Sequence, residues 1–356
     1  MRRFSFVAVV LVILAGVSLT ACSNLGYYAQ AAGGHMKLMR AREPIDELLA
    51  DEALDPTLRT QLETLLAARV FAVESLSLPD TDSYSTYVET GRNAVTWNVV
   101  AAEEFSVRPY VWCFPVAGCV NYRGYFARAD ALEYADDFRR EGYDVSVGGA
   151  SAYSTLGWFD DPVLDTMLRG SDTRYVGTLF HEMAHQLLYV EDDSDFNEAY
   201  ASFVEQEGVR LWLQSRGEAD RIEAYEASLV RAEGFVGLLG RTRAELIEVY
   251  EGAGDEAAKR EGKEAAFARM LEGYEELKQS WDGYAGYDGW FRREPNNARL
   301  VSVSTYRRYI PAFAVLFDDV GRDIDAFHAS AEEIGRMAGE ARRQRMEALL
   351  ARAAGE

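Results

Sequence analysis

The sequence predicts an α+β protein: a small sheet preceding a helix pair, followed by a mainly helical C-terminal half. Three observations carry that expectation. The early and late parts of the chain place apolar residues at helical spacing. The stretches "TWNVVAAEEFSV", "PYVWCFPVAGC" and "GYDVSVGGASAYSTLGW" are instead alternating or rich in β-branched and aromatic residues, with Gly punctuation, as strands are. After Asp161-Pro162 the helical pattern returns and persists to the end.

Taken in order, the chain opens on "MRRFSFVAVVLVILAGVSLTACSN". A basic start (Arg2, Arg3), a short apolar run and small residues describe a secretory signal rather than a spanning helix, the alternative being a permanent anchor. The ending Leu19-Thr20-Ala21-Cys22 resembles the bacterial lipobox, which implies lipidation of Cys22 as the mature N-terminus. Ser23, where an aspartate would signal inner-membrane retention, points to the outer membrane. Residues 1–21 are therefore expected to be a lipoprotein signal peptide, and the mature chain to sit in the bacterial cell envelope, lipid-anchored and facing the periplasm. Residues 22–356 are expected to form one domain, with an N-terminal helical part (22–94), a catalytic core (95–215) and a helical part (216–356).

Within that domain, "YYAQAAGGHMKLMRAREPIDELLA" reads as helix broken at Pro44, and "DPTLRTQLETLLAARVFAVESLSL" as a second helix opened by a Pro. "ARADALEYADDFRREG" is a helix ending at Gly142 between the strand segments, and residues 217–280, rich in Ala, Glu, Arg and Leu, form a long helical hairpin. No repeat of fixed period and no low-complexity block interrupts the chain.

The composition, 48% hydrophobic and 12% aromatic over 356 residues, excludes general disorder. A formal net charge of −21 argues against nucleic acid as a partner, and against an anionic lipid surface as the main one. Besides Cys22 there are two cysteines, Cys113 and Cys119, flanking a Pro/Gly turn. For an exported chain these predict a structural disulfide, with a pair of buried free thiols as the alternative. A zinc pair fits poorly, since the loop has neither His nor CxxC spacing.

The stretch that carries chemistry is "TLFHEMAHQLLYVEDDSDFNEAYASFVEQEG", residues 178–208. On a helix, positions i and i+4 share a face, so His181 and His185 can present both imidazoles to one zinc ion per chain. Glu182 beside them can act as general base toward a metal-bound water. A third ligand must come from elsewhere, and His35 and His328 are poor candidates, reading as surface or core histidines. The metzincin pattern fails, because Leu188 and Glu191 stand where it needs Gly and His.

The segment "NEAYASFVEQEG" follows an acidic turn and presents Glu198 and Glu205 on the polar face of a new helix. Its Asn197-Glu198-Ala199-Tyr200-Ala201 resembles the third-ligand motif of the gluzincins, which implies Glu198 as ligand; Glu205, Glu191 or an aspartate of the loop are the alternatives. Only twelve residues separate His185 from Glu198, so the connecting loop must be tighter than in the best-known gluzincins. Ser202 stands where many gluzincins carry an acid that orients a histidine, and Glu205 is the substitute for that role.

Together "CFPVAGCVNYRGYF", "GYDVSVGGASAYSTLGWFDDP", "LFHEMAHQLLYV", "NEAYASFVEQEG" and "NNARLVSVSTYRRYIPAF" resemble a bacterial family of predicted zinc aminopeptidases, envelope lipoproteins, from about Tyr27 to Phe313. That resemblance implies a peptide substrate and removal of N-terminal residues. "GGASAYSTLGWF" lies where such enzymes place the edge strand that pairs with substrate, though an ordinary core strand fits the pattern equally. Tyr153 and Tyr306 are the candidate oxyanion donors. Asn296-Asn297 read as a helix cap rather than a substrate contact. An aminopeptidase also needs an acid for the substrate's ammonium. The Gly149–Tyr153 stretch lacks one, leaving Asp160, Asp161 or loop acids. The competing class is a non-enzymatic envelope lipoprotein with a structural or vestigial zinc site. An intact Glu182 and only three protein ligands favour the enzyme.

Overall fold

The computed structural model describes residues 26–114, 118–155, 159–304 and 308–355. The expected signal peptide, Cys22 and Tyr306 lie outside the described residues. The architecture is α+β, with short strands confined to the first half and helices throughout.

Helix α1 (26–40) leads into strand β1 (Glu43–Pro44) and a short helix α2 (Ile45–Ala50). Helix α3 (Pro56–Leu76) starts where the sequence supplies both devices for a start. The Asp55 carboxylate accepts from the Thr57 and Leu58 amides, and Pro56 occupies the first helical position, where its missing N–H costs nothing. Strand β2 (Thr86–Val88) pairs antiparallel with β1 and parallel with β8 (Val163–Leu164).

The second sheet has the order β6-β3-β7, with β3 (Thr96–Ala102) central, β6 (Arg123–Tyr125) on one side and β7 (Asp144–Ala150) on the other. The β3–β7 register runs from Thr96 opposite Ala150 to Ala102 opposite Asp144. Between β3 and β6, strands β4 (Trp112–Phe114) and β5 (Gly118–Val120) form a hairpin whose directly opposed Cys113 and Cys119 are disulfide-bonded, as expected for an exported chain. Helix α4 (Arg128–Arg140) covers one face of this sheet. Its Ala131, Ala135 and Phe138 pack with Val99, Ala101 and Val145. The opposite face, through Val100 and Ala102, packs on the later helices. Burial on both faces explains why β3 reads as a nearly continuous apolar run rather than an alternating one.

The histidine-bearing helix α5 (Asp172–Leu187) is followed by α6 (Ser194–Ser215), then the predicted long hairpin of α7 (Ala219–Glu251) and α8 (Glu256–Ser280). The chain closes with α9 (Asp288–Phe291), α10 (Asn297–Ser304), α11 (Ile310–Asp319), α12 (Ile324–Gly335) and α13 (Gly339–Ala353). One core joins α3, α5, α6 and α11–α13, with Val176, Leu179, Phe180, Phe196, Tyr200, Phe313 and Phe327 all essentially inaccessible. Each such side chain contributes about 1.5–3 kcal/mol by leaving water. The pair α5–α6 thus sits on a rigid base. No helix among the described residues is long and apolar enough to cross a membrane.

Two sequence expectations resolve here. His328 is a core histidine, held by the Tyr200 hydroxyl at 2.7 Å and the Leu76 carbonyl at 2.9 Å. Asn296 caps α10 by accepting from the Arg299 amide. Its neighbour Asn297 is instead a buried clamp, donating to the Glu103 and Glu104 carbonyls and accepting from the Tyr250 hydroxyl.

Candidate metal centre

The site is built by two helices that approach closely because glycines let them. Gly177 lies one turn before His181, and a Cβ there would stand 3.1 Å from Glu205 Cγ and 3.2 Å from its Oε1. At Gly208 a Cβ would meet Leu76 and Phe180 at 2.8 Å. Glycine inside a helix costs roughly 1 kcal/mol against alanine, and here that cost is offset by the close α5–α6 approach.

The turn between the helices, 188–193, is short and fastened. Asn197, buried in the first turns of α6, accepts from the Val190 amide at 2.8 Å and donates to the Val190 carbonyl at 2.7 Å. Asp193 caps α6 through the Phe196 amide, and its other carboxylate oxygen is held by Arg342 at 2.6 Å. Asp192 takes a left-handed backbone (φ 60°), which reverses the chain in few residues. These devices close the tighter loop that the spacing between His185 and Glu198 demands.

The consequence is a convergence of three donors. His181 Nε2 lies 3.1 Å from His185 Nε2 and 3.3 Å from Glu198 Oε2, and His185 Nε2 lies 3.6 Å from Glu198 Oε1. The other ring nitrogen of His181 faces Glu205 Oε2 at 3.2 Å. A carboxylate only accepts, so Nδ1 carries a proton toward Glu205, and Nε2 is the ring atom on which a metal would take a proton's place. Two imidazole nitrogens 3.1 Å apart are compatible only with a proton or a metal ion shared between them. Two nitrogens and one carboxylate oxygen are also a donor set that zinc accepts, with a position left open. His181, His185 and Glu198 therefore form a group able to hold a metal ion. Among the described residues, the buried Nδ1 of His185 has no acceptor.

The electrostatics agree with that geometry. Burial opposes a charged His181, yet its hydrogen bonds to Glu198 and Glu205 outweigh this and push its pKa up to about 10, so the site favours positive charge there. Burial and the neighbouring His181 push His185 down to about 4, keeping it a neutral donor. Burial raises the Glu198 carboxyl, but the two histidines overcome that and hold it below the usual range. Glu182 differs from all three. Burial pushes its pKa up to about 7, helped by Glu198 and Asp161 and opposed by His181 and the Ser154 hydroxyl. A carboxylate balanced near neutrality can take a proton and release it again.

The structure separates the remaining sequence candidates. Glu191 is exposed in the turn and outside the cluster, and Ser202 is buried. Tyr153 directs its hydroxyl at His35 Nδ1, 3.4 Å away, and burial raises its pKa to about 12. No hydrogen bond among the described residues joins it to the three donors. Asp161 is fully buried, and its carboxylate already accepts from the Thr155 amide at 2.7 Å, the Thr155 hydroxyl at 2.9 Å and Ser154 at 3.3 Å. Asp160 is exposed.

The expected edge strand is β7, which pairs only with β3 among the described residues and ends at Ala150. Its exposed Gly148 and Gly149 border a cleft of about 260 Å³, shared with Asn98, Ser146 and Ser302. Gly148 has open space where a side chain would stand, whereas Gly149 is needed for packing, since a Cβ would lie 2.7 Å from Ala94 Cβ. Sequence reasoning missed the Asn197 clamp, Gly177 and the Ser154–Asp161 network. The available signal for the first two was a buried-type position occupied by Asn and a Gly inside a helix that otherwise has good formers.

The family model described as "Putative aminopeptidase" matches residues 26–346. The chain belongs to that family. No curated protein and no solved structure matches it. In this member of that family the match spans every donor of the centre and reaches into α13.

One expected result follows from the Glu205 contact. Glu205→Gln should weaken metal binding by about 10–100-fold while leaving the fold intact, because it loosens the tautomer and orientation of His181 without removing a ligand. Competition against a zinc chelator of known affinity measures this, and an unchanged affinity would assign Glu205 a purely packing role.

Proposed function

We propose that the chain is a zinc-dependent peptidase, acting as an aminopeptidase on short peptides, exported and held at the outer membrane by lipid on Cys22. The observation that carries this reading is the convergence of His181, His185 and Glu198 with Glu182 on the same helix turn. The donor set fits zinc, with His181 Nε2, His185 Nε2 and a Glu198 carboxylate oxygen as the residues that would hold it. A bound zinc supplies Lewis acidity toward the scissile carbonyl and toward water. Glu182 accepts the proton that the attacking water gives up, and passes it to the departing amine. Its near-neutral pKa suits both transfers. Glu205 keeps His181 in the tautomer the centre requires. Among the described residues β7 is an edge strand, which would let an extended peptide lie alongside as an added strand.

Exopeptidase action needs an acid for the substrate's ammonium. Asp161 is unsuited, because its carboxylate is spent on Thr155 and Ser154. Asp160, exposed on the same stretch, and the loop acids remain. A charge-assisted contact of this kind is worth about 1.5–3 kcal/mol, so blocking the N-terminus should cut kcat/KM by roughly 10–150-fold. The comparison is one peptide with a free and an acetylated N-terminus, with products read by mass spectrometry. Equal cleavage of both at an internal bond would instead establish an endopeptidase, and cleavage of neither a non-enzymatic role.

A further inference from the structure

The face of the second sheet turned away from α4 carries the cleft that Gly148 and Gly149 border. There β3 sets Asn98 opposite Gly148 and Val100 opposite Ser146, while Asn121, just ahead of β6, and Ser302 of α10 line the same space. Charged residues make up 27% of the chain, yet none lines this cleft. Asn98, Asn121 and Ser146 are half-buried in it, and their side chains make no hydrogen bond among the described residues. Ser302 donates to the Arg299 carbonyl at 2.8 Å and keeps only its lone pairs. Amides and hydroxyls left in this way are met by water or by a ligand. An ion entering the cleft would lose hydration and find no opposite charge. A neutral amide or hydroxyl would find both donors and acceptors.

Strand β7 connects the cleft with the metal centre. It is an edge strand among the described residues, and beyond Ala150 the chain packs Ala152 and Tyr153 onto the core that seats α5 and α6. A peptide with its N-terminus at the metal centre would therefore run back along β7, antiparallel to it. Side chains of an added strand alternate between the two faces of the sheet, so one beside Gly148 would turn into the cleft. Gly148 leaves that space open, with nothing within 4 Å of where its Cβ would stand.

We propose that this cleft is a specificity subsite, taking an uncharged amide or hydroxyl side chain of the substrate several residues beyond the scissile bond. The proposal rests on the reading of the chain as a peptidase. An alanine-based peptide of roughly eight residues, about 25 Å when extended, tests it by carrying one Asn, Asp or Lys moved along position by position. At one position beyond the second, kcat/KM should favour Asn over both Asp and Lys by about 10–100-fold, because a charge there enters without a partner. Asn121→Asp keeps the side chain's shape and adds a charge, and it should turn the preference at that position to Lys. No preference at any such position, or one that Asn121→Asp does not move, would overturn the proposal. If the parent protein cleaves no peptide, the peptidase reading fails, and calorimetric binding of the same peptides decides the cleft separately. Tighter binding of an Asn peptide than of its Asp and Lys counterparts would uphold the subsite, and equal binding or none would refute it.

Discussion

Glu182→Gln should reduce peptide hydrolysis by about 10²–10⁴-fold while zinc stays bound at one ion per chain. Glutamine preserves the shape of the side chain and removes only its ability to take a proton. The metal should be indifferent, because the converging donors are His181, His185 and Glu198, and Glu182 contributes no atom to them. Its surroundings also make the effect large. Burial pushes its pKa up to about 7, and water in such a site has no comparable acceptor nearby, since Glu198 is drawn onto the histidines and Asp161 onto Thr155. Metal content and turnover measured on one sample decide the matter. Retained turnover would remove Glu182 from the reaction, and lost zinc would show that the substitution disturbed the helix.

Glu198→Ala should abolish both metal binding and activity, a deeper loss than the 10–100-fold expected when a supporting group such as Glu205 is changed. It takes away the only anionic donor of the three, leaving two imidazoles at 3.1 Å with no carboxylate to balance a divalent charge. The fold should survive. Residues on either side of Glu198 in α6, Phe196, Ala199 and Tyr200, are fully buried in the main core, whereas the Glu198 side chain is 36% exposed. Circular dichroism should therefore be unchanged while elemental analysis reports no zinc. Full zinc occupancy in this variant would move the third ligand to another acid.

Much of this centre was legible because its chemistry is local in the chain. His181, Glu182 and His185 occupy a single helix, and helical periodicity alone places them. Glu198 needed a helix and a turn whose length could be counted. The long α7–α8 hairpin was legible for the same reason, since its composition and spacing declare helix without help from distant parts. What escaped was whatever depends on contact across the chain. The parallel pairing of β2 with β8 joins strands of three and two residues, too short for any alternation to register. The Ser154–Asp161 network joins side chains whose hydrogen bonds are settled by tertiary approach, and sequence had offered Asp161 as a substrate contact. Tyr153 was a reasonable oxyanion donor by position, but its hydroxyl is turned to His35 on α1, a partner 118 residues away.

The Asn197 clamp has a bearing on how chains of this kind can change in length. Surface turns ordinarily absorb an extra residue at little cost. This one cannot, because a side chain of the following helix grips both the amide and the carbonyl of Val190. An insertion between the two would break the grip, and one between Asn197 and Glu198 would rotate Glu198 about a quarter of a turn away from the histidines. An extra residue costs less where no side chain grips the turn, whereas the distance in residues from the second histidine to the glutamate is as strict a condition for the donor cluster as the identity of its members.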